Sequence, residues 1–260
     1  RFIYGKTLRP YDYSLVLSND ADNSEAIDAA ANDKVYNVTL ADRTLYKDGD
    51  WNTLCLPFDV TVGSGQMEGA TAMTLNASQS GFDASTGVLT LNFDNVESGN
   101  TIAAGTPFIV KWTGDDVTSP VFTGVTVSST TAGSVLSADE NVRFQGTYSP
   151  ADIYSADHGN LFLGKESKLY WPSTEGYTMG ACRAYFHVDL DGGQAAVRQF
   201  VLNFGGDTET TGILSTTNLT NDTNLTNDTN SWYTLDGHRL SGKPSREGLY
   251  TCNGKRIILK

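Results

Sequence analysis

Three histidines, three cysteines and a few paired acids are the groups in this sequence that could do covalent or metal chemistry, and their spacing argues against it. His158, His187 and His238 stand far apart, without the i, i+4 or His-x-Glu spacing that brings ligands onto one metal. Cys55, Cys182 and Cys252 form no Cys-x-x-Cys pair and no Cys/His ligand pattern, so a structural zinc is not expected. One disulfide plus a free thiol, or three unpaired cysteines, both suit these positions. Cys55 and Cys182 fall in the main domain and Cys252 lies beyond a linker, so Cys55–Cys182 is the expected bond in an oxidising compartment. No Gly-x-Ser-x-Gly elbow occurs. Asp115-Asp116 and Asp189-Leu190-Asp191 place carboxylates in expected loops, where acidic turns are commoner than an acid/base pair. Asp20, Asp22 and Ser24 occupy the odd positions of a calcium loop, but its sixth position is Glu25 rather than Gly and its twelfth is Ala31 rather than Glu. The reading is therefore of a chain that is not an enzyme and needs no cofactor. The remaining candidates are aromatic: Trp112, Tyr170 and Trp171 stand near loop-flanked strand ends, where rings can form a platform for sugars. The competing role for the same rings is packing between sheets.

These rings must be carried by strands, because the composition suits little else. In 260 residues with 26 glycines, only 18% are charged, and Thr, Ser, Asn, Asp and Gly are abundant. That composition disfavours long helices and favours many short strands with tight turns. The most apolar bounded run is Trp51 to Val60, in which Leu54, Leu56 and Phe58 alternate with Thr53, Cys55 and Pro57. Being dry on both sides, it is expected in the middle of a sandwich, and Pro57 should take it out of the ladder. Further strands are predicted at 35–40, 43–46, 87–93, 105–112, 120–127, 142–148, 161–163, 168–171, 183–190 and 197–204, with shorter ones at Phe2-Ile3-Tyr4 and Tyr13 to Leu17. The one helical stretch is Asp20 to Asp33, with Ser24 as its N-cap. The expected fold is all-β, a jelly-roll-like or Ig-like β-sandwich over 35–205, preceded by a lead-in at 1–34 that contains the helix. A linker at 206–230 and a small C-terminal β unit at 231–260 follow.

The linker is read from a polar six-residue repeat at 218–223 and 224–229, which lacks the apolar residues that would offset the entropy of ordering it. In the last unit, Asp236-Gly237 and Asn253-Gly254 signal two hairpins. The net charge is −12, but residues 231–260 hold six Lys/Arg against Asp236 and Glu247. That segment is thus +4 and the remainder −16, an asymmetry that suggests two units with different jobs. The acidic balance argues against nucleic acid as a partner. No window approaches the ~20 apolar residues of a membrane span. The opening Arg1-Phe2-Ile3-Tyr4, with no charged-then-apolar leader pattern, reads as a cut inside a longer chain.

Several blocks carry a resemblance. Tyr233-x-Leu235-Asp236-Gly237-x-Arg239, then Pro244, Gly248-Leu249-Tyr250 and Asn253-Gly254-Lys255-Arg256 resemble the C-terminal segment of many secreted Bacteroidetes proteins, related to the type IX secretion sorting domain. Arg43 to Phe58, Ala104 to Lys111, Phe144 to Tyr148, Arg183 to Phe186 and Thr211 to Ile213 are similar to blocks in uncharacterised surface proteins of that phylum. The resemblance implies export and display on the extracellular face of the outer membrane. It also implies contact of 231–260 with secretion or anchoring machinery. The function expected is a non-catalytic, secreted or surface-displayed binding or adhesion module for a glycan or a host or neighbour-cell protein. The alternative is an accessory carbohydrate-binding or spacer domain of a longer secreted hydrolase.

Overall fold

The computed structural model describes residues 13–154, 159–172, 175–189, 197 and 199–205 in full, together with the backbone of the strands Thr208–Glu209, Trp232–Tyr233, Arg239–Leu240, Gly248–Cys252 and Lys255–Leu259. The chain is all-β, with a single α-helix, Ser24–Ala30, among the described residues. It divides into two compact units, Arg1–Leu214 and Ser215–Lys260. The expected strand at Phe2-Ile3-Tyr4 lies outside the described residues, as does most of the expected linker. The first described piece of that linker is a strand: Thr208–Glu209 pairs antiparallel with Gln199–Asn203.

The larger unit has three main sheets, alongside three two-stranded ones, and most of their inner positions follow from period-2 alternation. A seven-stranded sheet runs in the order Thr208–Glu209, Gln199–Asn203, Val88–Val96, Thr71–Leu75, Phe108–Lys111, Asn52–Leu54, with Gly81–Asp83 added on Val88–Val96. Phe108–Lys111 is apolar on both sides, so Ile109 enters one core while Phe108 and Val110 enter the other. On the Ile109 side lies a five-stranded sheet, in the order Ser134–Leu136, Val142–Thr147, Arg183–Val188, Asn160–Leu163, Leu169–Tyr170. Phe93 meets both Phe144 and Phe186 edge-on at 6.3 Å across this core, and those two rings stack on each other at 4.5 Å. Burying rings of this size stabilises the contact between the sheets by about 1.5–3 kcal/mol each.

On the Phe108 side lies a three-stranded sheet of Tyr13–Ser18, Val35–Ala41 and Val121–Thr126. Of the lead-in expected at 1–34, the described strand Tyr13–Ser18 is thus part of this layer. Tyr13–Ser18 pairs parallel with Val35–Ala41, and the helix buries Ile27 and Ala30 against the same core. The helix is shorter than the 20–33 predicted and its N-cap residue is Asn23, not Ser24. The Asn23 side chain is committed elsewhere: it accepts from Ser18 N and donates to Ser18 O and Tyr148 O. Asp22 accepts hydrogen bonds from Ser24 N, Ser24 Oγ and Ser149 Oγ, which hold its carboxyl at about 2. The acid singled out as a calcium-loop position thus closes a turn.

The run Trp51 to Phe58 is buried throughout, as the sequence predicts, yet only Asn52–Leu54 is strand, and it ends the seven-stranded sheet rather than lying in its middle. From Thr53 onward the carbonyls of this buried run find donors from several directions. Thr53 O accepts from Arg43 Nη2, Leu56 O from Gly105 N and Tyr148 Oη, and Pro57 O from Ser128 N and Ser129 N. The expected Cys55–Cys182 bond is not formed. The two residues are joined through the backbone, Cys55 N donating to Cys182 O, but both are free, buried thiols. Cys55 Sγ is turned to donate to Gly105 O, and burial pushes both thiols up to about 12.

Arg43 is 2% exposed, and its Nε and Nη1 meet no hydrogen-bond partner. A buried guanidinium with one bond carries a large desolvation cost. Arg43→Met, which keeps the bulk without the charge, should match or exceed the parent in urea unfolding. Arg43→Ala, which leaves a void, should lose about 2–5 kcal/mol. At pH 8 Cys55 and Cys182 should resist alkylation in the folded chain and react together on unfolding, as read by mass spectrometry, because burial keeps both as thiols.

Candidate functional site

The five-stranded sheet has one face in the core and one turned outward. Ala184, Phe186 and Val188 are buried, while Arg183, Tyr185 and His187 between them are half-buried on the other side. The same alternation puts Arg143, Gln145 and Thr147 outward on the neighbouring strand, and Asn160 and Phe162 outward on the strand beyond. Register then aligns them across the sheet. Arg143 pairs with His187, His187 with Asn160, and Phe162 with Tyr170.

Phe162 is the centre of an aromatic row. It stacks on Tyr170 at 5.7 Å between centroids (25° interplanar) and on Tyr177 at 5.0 Å (14°). All three rings are half-buried. The row is held by the connection between its two strands. Glu166 and Ser167 are successive left-handed residues (φ 59° and 55°), a conformation that costs non-glycine residues about 1–3 kcal/mol each. Their orientation is fixed from outside: Asp50 accepts from Glu166 N at 2.8 Å and from Ser167 Oγ, and Ser167 Oγ accepts from Trp51 N. Tyr170 Oη donates back to Lys165 O at 3.1 Å. Gly164 lies under the ring, where a Cβ would come within 2.9 Å of Tyr170 Cδ2.

Polar groups flank the row. His187 Nδ1 donates to Asn160 Oδ1 at 2.8 Å, Gln145 Nε2 donates to Gly146 O, and Arg143 Nη1 reaches Ser134 Oγ at 3.4 Å. Burial raises the Tyr185 and Tyr177 hydroxyls, with Arg143 working against the shift at Tyr185. The Tyr185 and Tyr177 hydroxyls therefore stay protonated at neutral pH and can donate hydrogen bonds. Such a face can stack on flat apolar surfaces and donate hydrogen bonds beside them.

Of the residues singled out from sequence, Tyr170 lies in this row. Trp171, next in the chain, turns the opposite way and packs edge-on against Phe200 at 5.4 Å. Trp112 is 5% exposed in the core shared with the three-stranded sheet, with Lys47 Nζ 5.4 Å from its ring centroid. The physical reason is alternation: Trp112 has the parity of Phe108 and Val110, both buried in that core. Phe162, Tyr177, Tyr185 and Arg143 were missed by sequence reasoning. The alternation through Arg183 to Val188 was the available signal, but not the pairing that assembles the face.

The other chemical candidates that the structure describes lie apart from this row. Asp116 Oδ1 accepts from Lys47 N, and Asp189 is exposed at a strand end. His158, His238, Leu190 and Asp191 lie outside the described residues. Among the described residues no three His, Cys, Asp or Glu side chains cluster as metal ligands, and no helix is long and apolar enough to cross a membrane. No protein-family model matches the chain, and neither does any curated protein or solved structure.

Gly164→Ala should break the Tyr170–Phe162 stack while leaving the sheet intact, since its φ of −128° suits any residue. In proton NMR the upfield ring-current shifts of Tyr170 and Phe162 should be lost with little change in the thermal midpoint. A large fall in the midpoint would mean that the row is structural instead.

Proposed function

We propose that this chain is a non-catalytic carbohydrate-binding module, secreted or displayed at the cell surface, that takes its ligand on the outward face of the five-stranded sheet. The observation that carries this reading is the row Tyr170–Phe162–Tyr177, in which two rings of the five-stranded sheet are joined by a third from the segment before Thr178–Met179, all three half-buried and stacked, beside hydrogen-bonding side chains at Asn160, His187 and Gln145. Sugars present flat apolar C–H faces rimmed by hydroxyls, and stacked aromatics bordered by polar side chains match that pattern. The rings are held before any ligand arrives, by Asp50, Lys165 O and the stack itself, so little ordering entropy remains to be lost on binding.

Surface display is part of the proposal and rests on the sequence resemblance of the C-terminal segment. In the smaller unit Trp232–Tyr233 and Gly248–Cys252 pair antiparallel, and Cys252 opposite Lys255 leaves only residues 253 and 254 between the last two strands. This β unit is the part we propose to engage secretion or anchoring machinery.

Tyr170→Ala should weaken binding to the preferred oligosaccharide by about 10-fold, the worth of roughly 1.4 kcal/mol of stacking, with the thermal midpoint little changed. Trp171→Ala should instead cost stability, because its ring is packed on Phe200. Titration calorimetry against a broad oligosaccharide panel checks both. Unaltered affinity in Tyr170→Ala would place binding elsewhere.

A further inference from the structure

The outward face of the five-stranded sheet differs in charge from the rest of the molecule. The sequence holds 30 Asp and Glu against 18 Lys and Arg. None of the five strands contains an acid, whereas Arg143, Arg183 and His187 all point outward from it. The exposed loop at its edge adds Lys165 and Lys168, the latter paired with Glu166. Acids occur in the loops and at the rims, among them Glu166 and Glu175 beside the aromatic row. Asp20 is close enough to Arg183 to favour its charge, and Glu140 and Asp189 sit past the strand ends.

Among the arginines of this face Arg143 is the uncommitted one. It is exposed, forms no ion pair among the described residues, and its one side-chain hydrogen bond is the 3.4 Å contact to Ser134 Oγ. A guanidinium in that state presents most of its five donors to whatever docks on the sheet, in a planar fork that matches a carboxylate or a sulfate. It lies three strands across and two residues along from Tyr170, about 16 Å at the usual ~4.8 Å strand spacing and ~3.4 Å rise. A ligand touching both must therefore be an oligomer.

We propose that the sugar bound here is acidic, an oligosaccharide carrying carboxylate or sulfate groups, with Arg143 paired to an anionic group while the Tyr170–Phe162–Tyr177 row stacks on the rings. This rests on the carbohydrate-binding reading of the face and adds the class of sugar. A carbohydrate surface of net negative charge is also one that a chain of −12 approaches only through a locally basic patch.

The test is calorimetry with the full chain at two salt concentrations and three probes: an oligogalacturonate, the same oligosaccharide with its carboxyls reduced to alcohols, and a sulfated galactan oligosaccharide. The expected result is that one or both acidic probes bind at least about 10-fold tighter than the neutral one, a gap that narrows as salt rises. Preference between the two acidic probes identifies carboxylate or sulfate as the group recognised. Arg143→Gln, at an exposed position, should bring the acidic probe down to the affinity of the neutral one, and Tyr170→Ala should weaken all three. If neutral and acidic probes bind alike and both are lost in Tyr170→Ala, the sugar site stands and its acidic preference is overturned. If the acidic probes bind but Arg143→Gln leaves them unchanged, the role of Arg143 is overturned. If none of the probes or the wider panel binds, the carbohydrate reading falls and this inference with it.

Discussion

The larger unit depends on burying a stretch of backbone that is not in a regular ladder. From Cys55 to Phe58 the chain passes between sheets with almost no solvent contact, and a buried carbonyl without a donor costs about 1–3 kcal/mol. Two of its carbonyls are met by groups from distant parts of the sequence, Leu56 O by Gly105 N and Tyr148 Oη, and Pro57 O by Ser128 N and Ser129 N. The isolated bridge between Phe58 and Val127 closes the same passage. Because the donors come from three separate loops, the strands that those loops join are held in one relative arrangement when all the bonds form at once. Close approach enforces the same arrangement: a Cβ on Gly146 would lie 2.3 Å from Cys55 Sγ, so only glycine lets that strand pass the segment.

The same passage fixes the face on which the proposed ligand would rest. Thr53 Oγ1 accepts from Ala184 N, tying the end of the seven-stranded sheet to the middle strand of the five-stranded one. Two residues earlier, Trp51 N and the Asp50 carboxylate hold the left-handed turn at Glu166 and Ser167, whose strands carry Phe162 and Tyr170. Trp51 is itself stacked on Phe204 at 5.1 Å, and Phe204 on Phe93 at 5.5 Å, so the anchor is continuous with the central aromatic core. The aromatic row therefore stands on a support fixed by the core, although it sits near the edge of its sheet. That is the condition for stacking on a ligand without first ordering a loop.

Charge divides the molecule on a different principle from packing. An acidic chain keeps itself soluble and repels other acidic surfaces, yet its five-stranded sheet has no acid in any strand. Two other arginines of the unit are more enclosed: Arg43 is wholly buried with a single bond to Thr53 O, and burial draws Arg183, on the same sheet as Arg143, down to about 10. Arg143, exposed and nearly unbonded, is placed quite differently from either.

Most strands of the larger unit were legible in the sequence because alternation of apolar and polar residues is a local property. Val35–Ala41, Val88–Val96, Val142–Thr147 and Arg183–Val188 could be read from a few neighbouring residues each, and with them the all-β class. The burial of Trp51 to Phe58 was equally legible, since no exposed role suits so apolar a run. What the sequence did not hold was any relation between segments far apart in the chain. Val88–Val96 lies parallel to Gln199–Asn203, and Tyr13–Ser18 parallel to Val35–Ala41, by pairings that no turn motif announces. Trp112, Tyr170 and Trp171 looked alike as aromatic residues at strand ends. Only the layer on each side of their strands decided that two face a core and one faces outward, and only register set Phe162 beside Tyr170 and brought Tyr177 onto the same stack. Side-chain direction is set by adjacent residues, but whether that direction meets protein or water is set by what the rest of the chain places there.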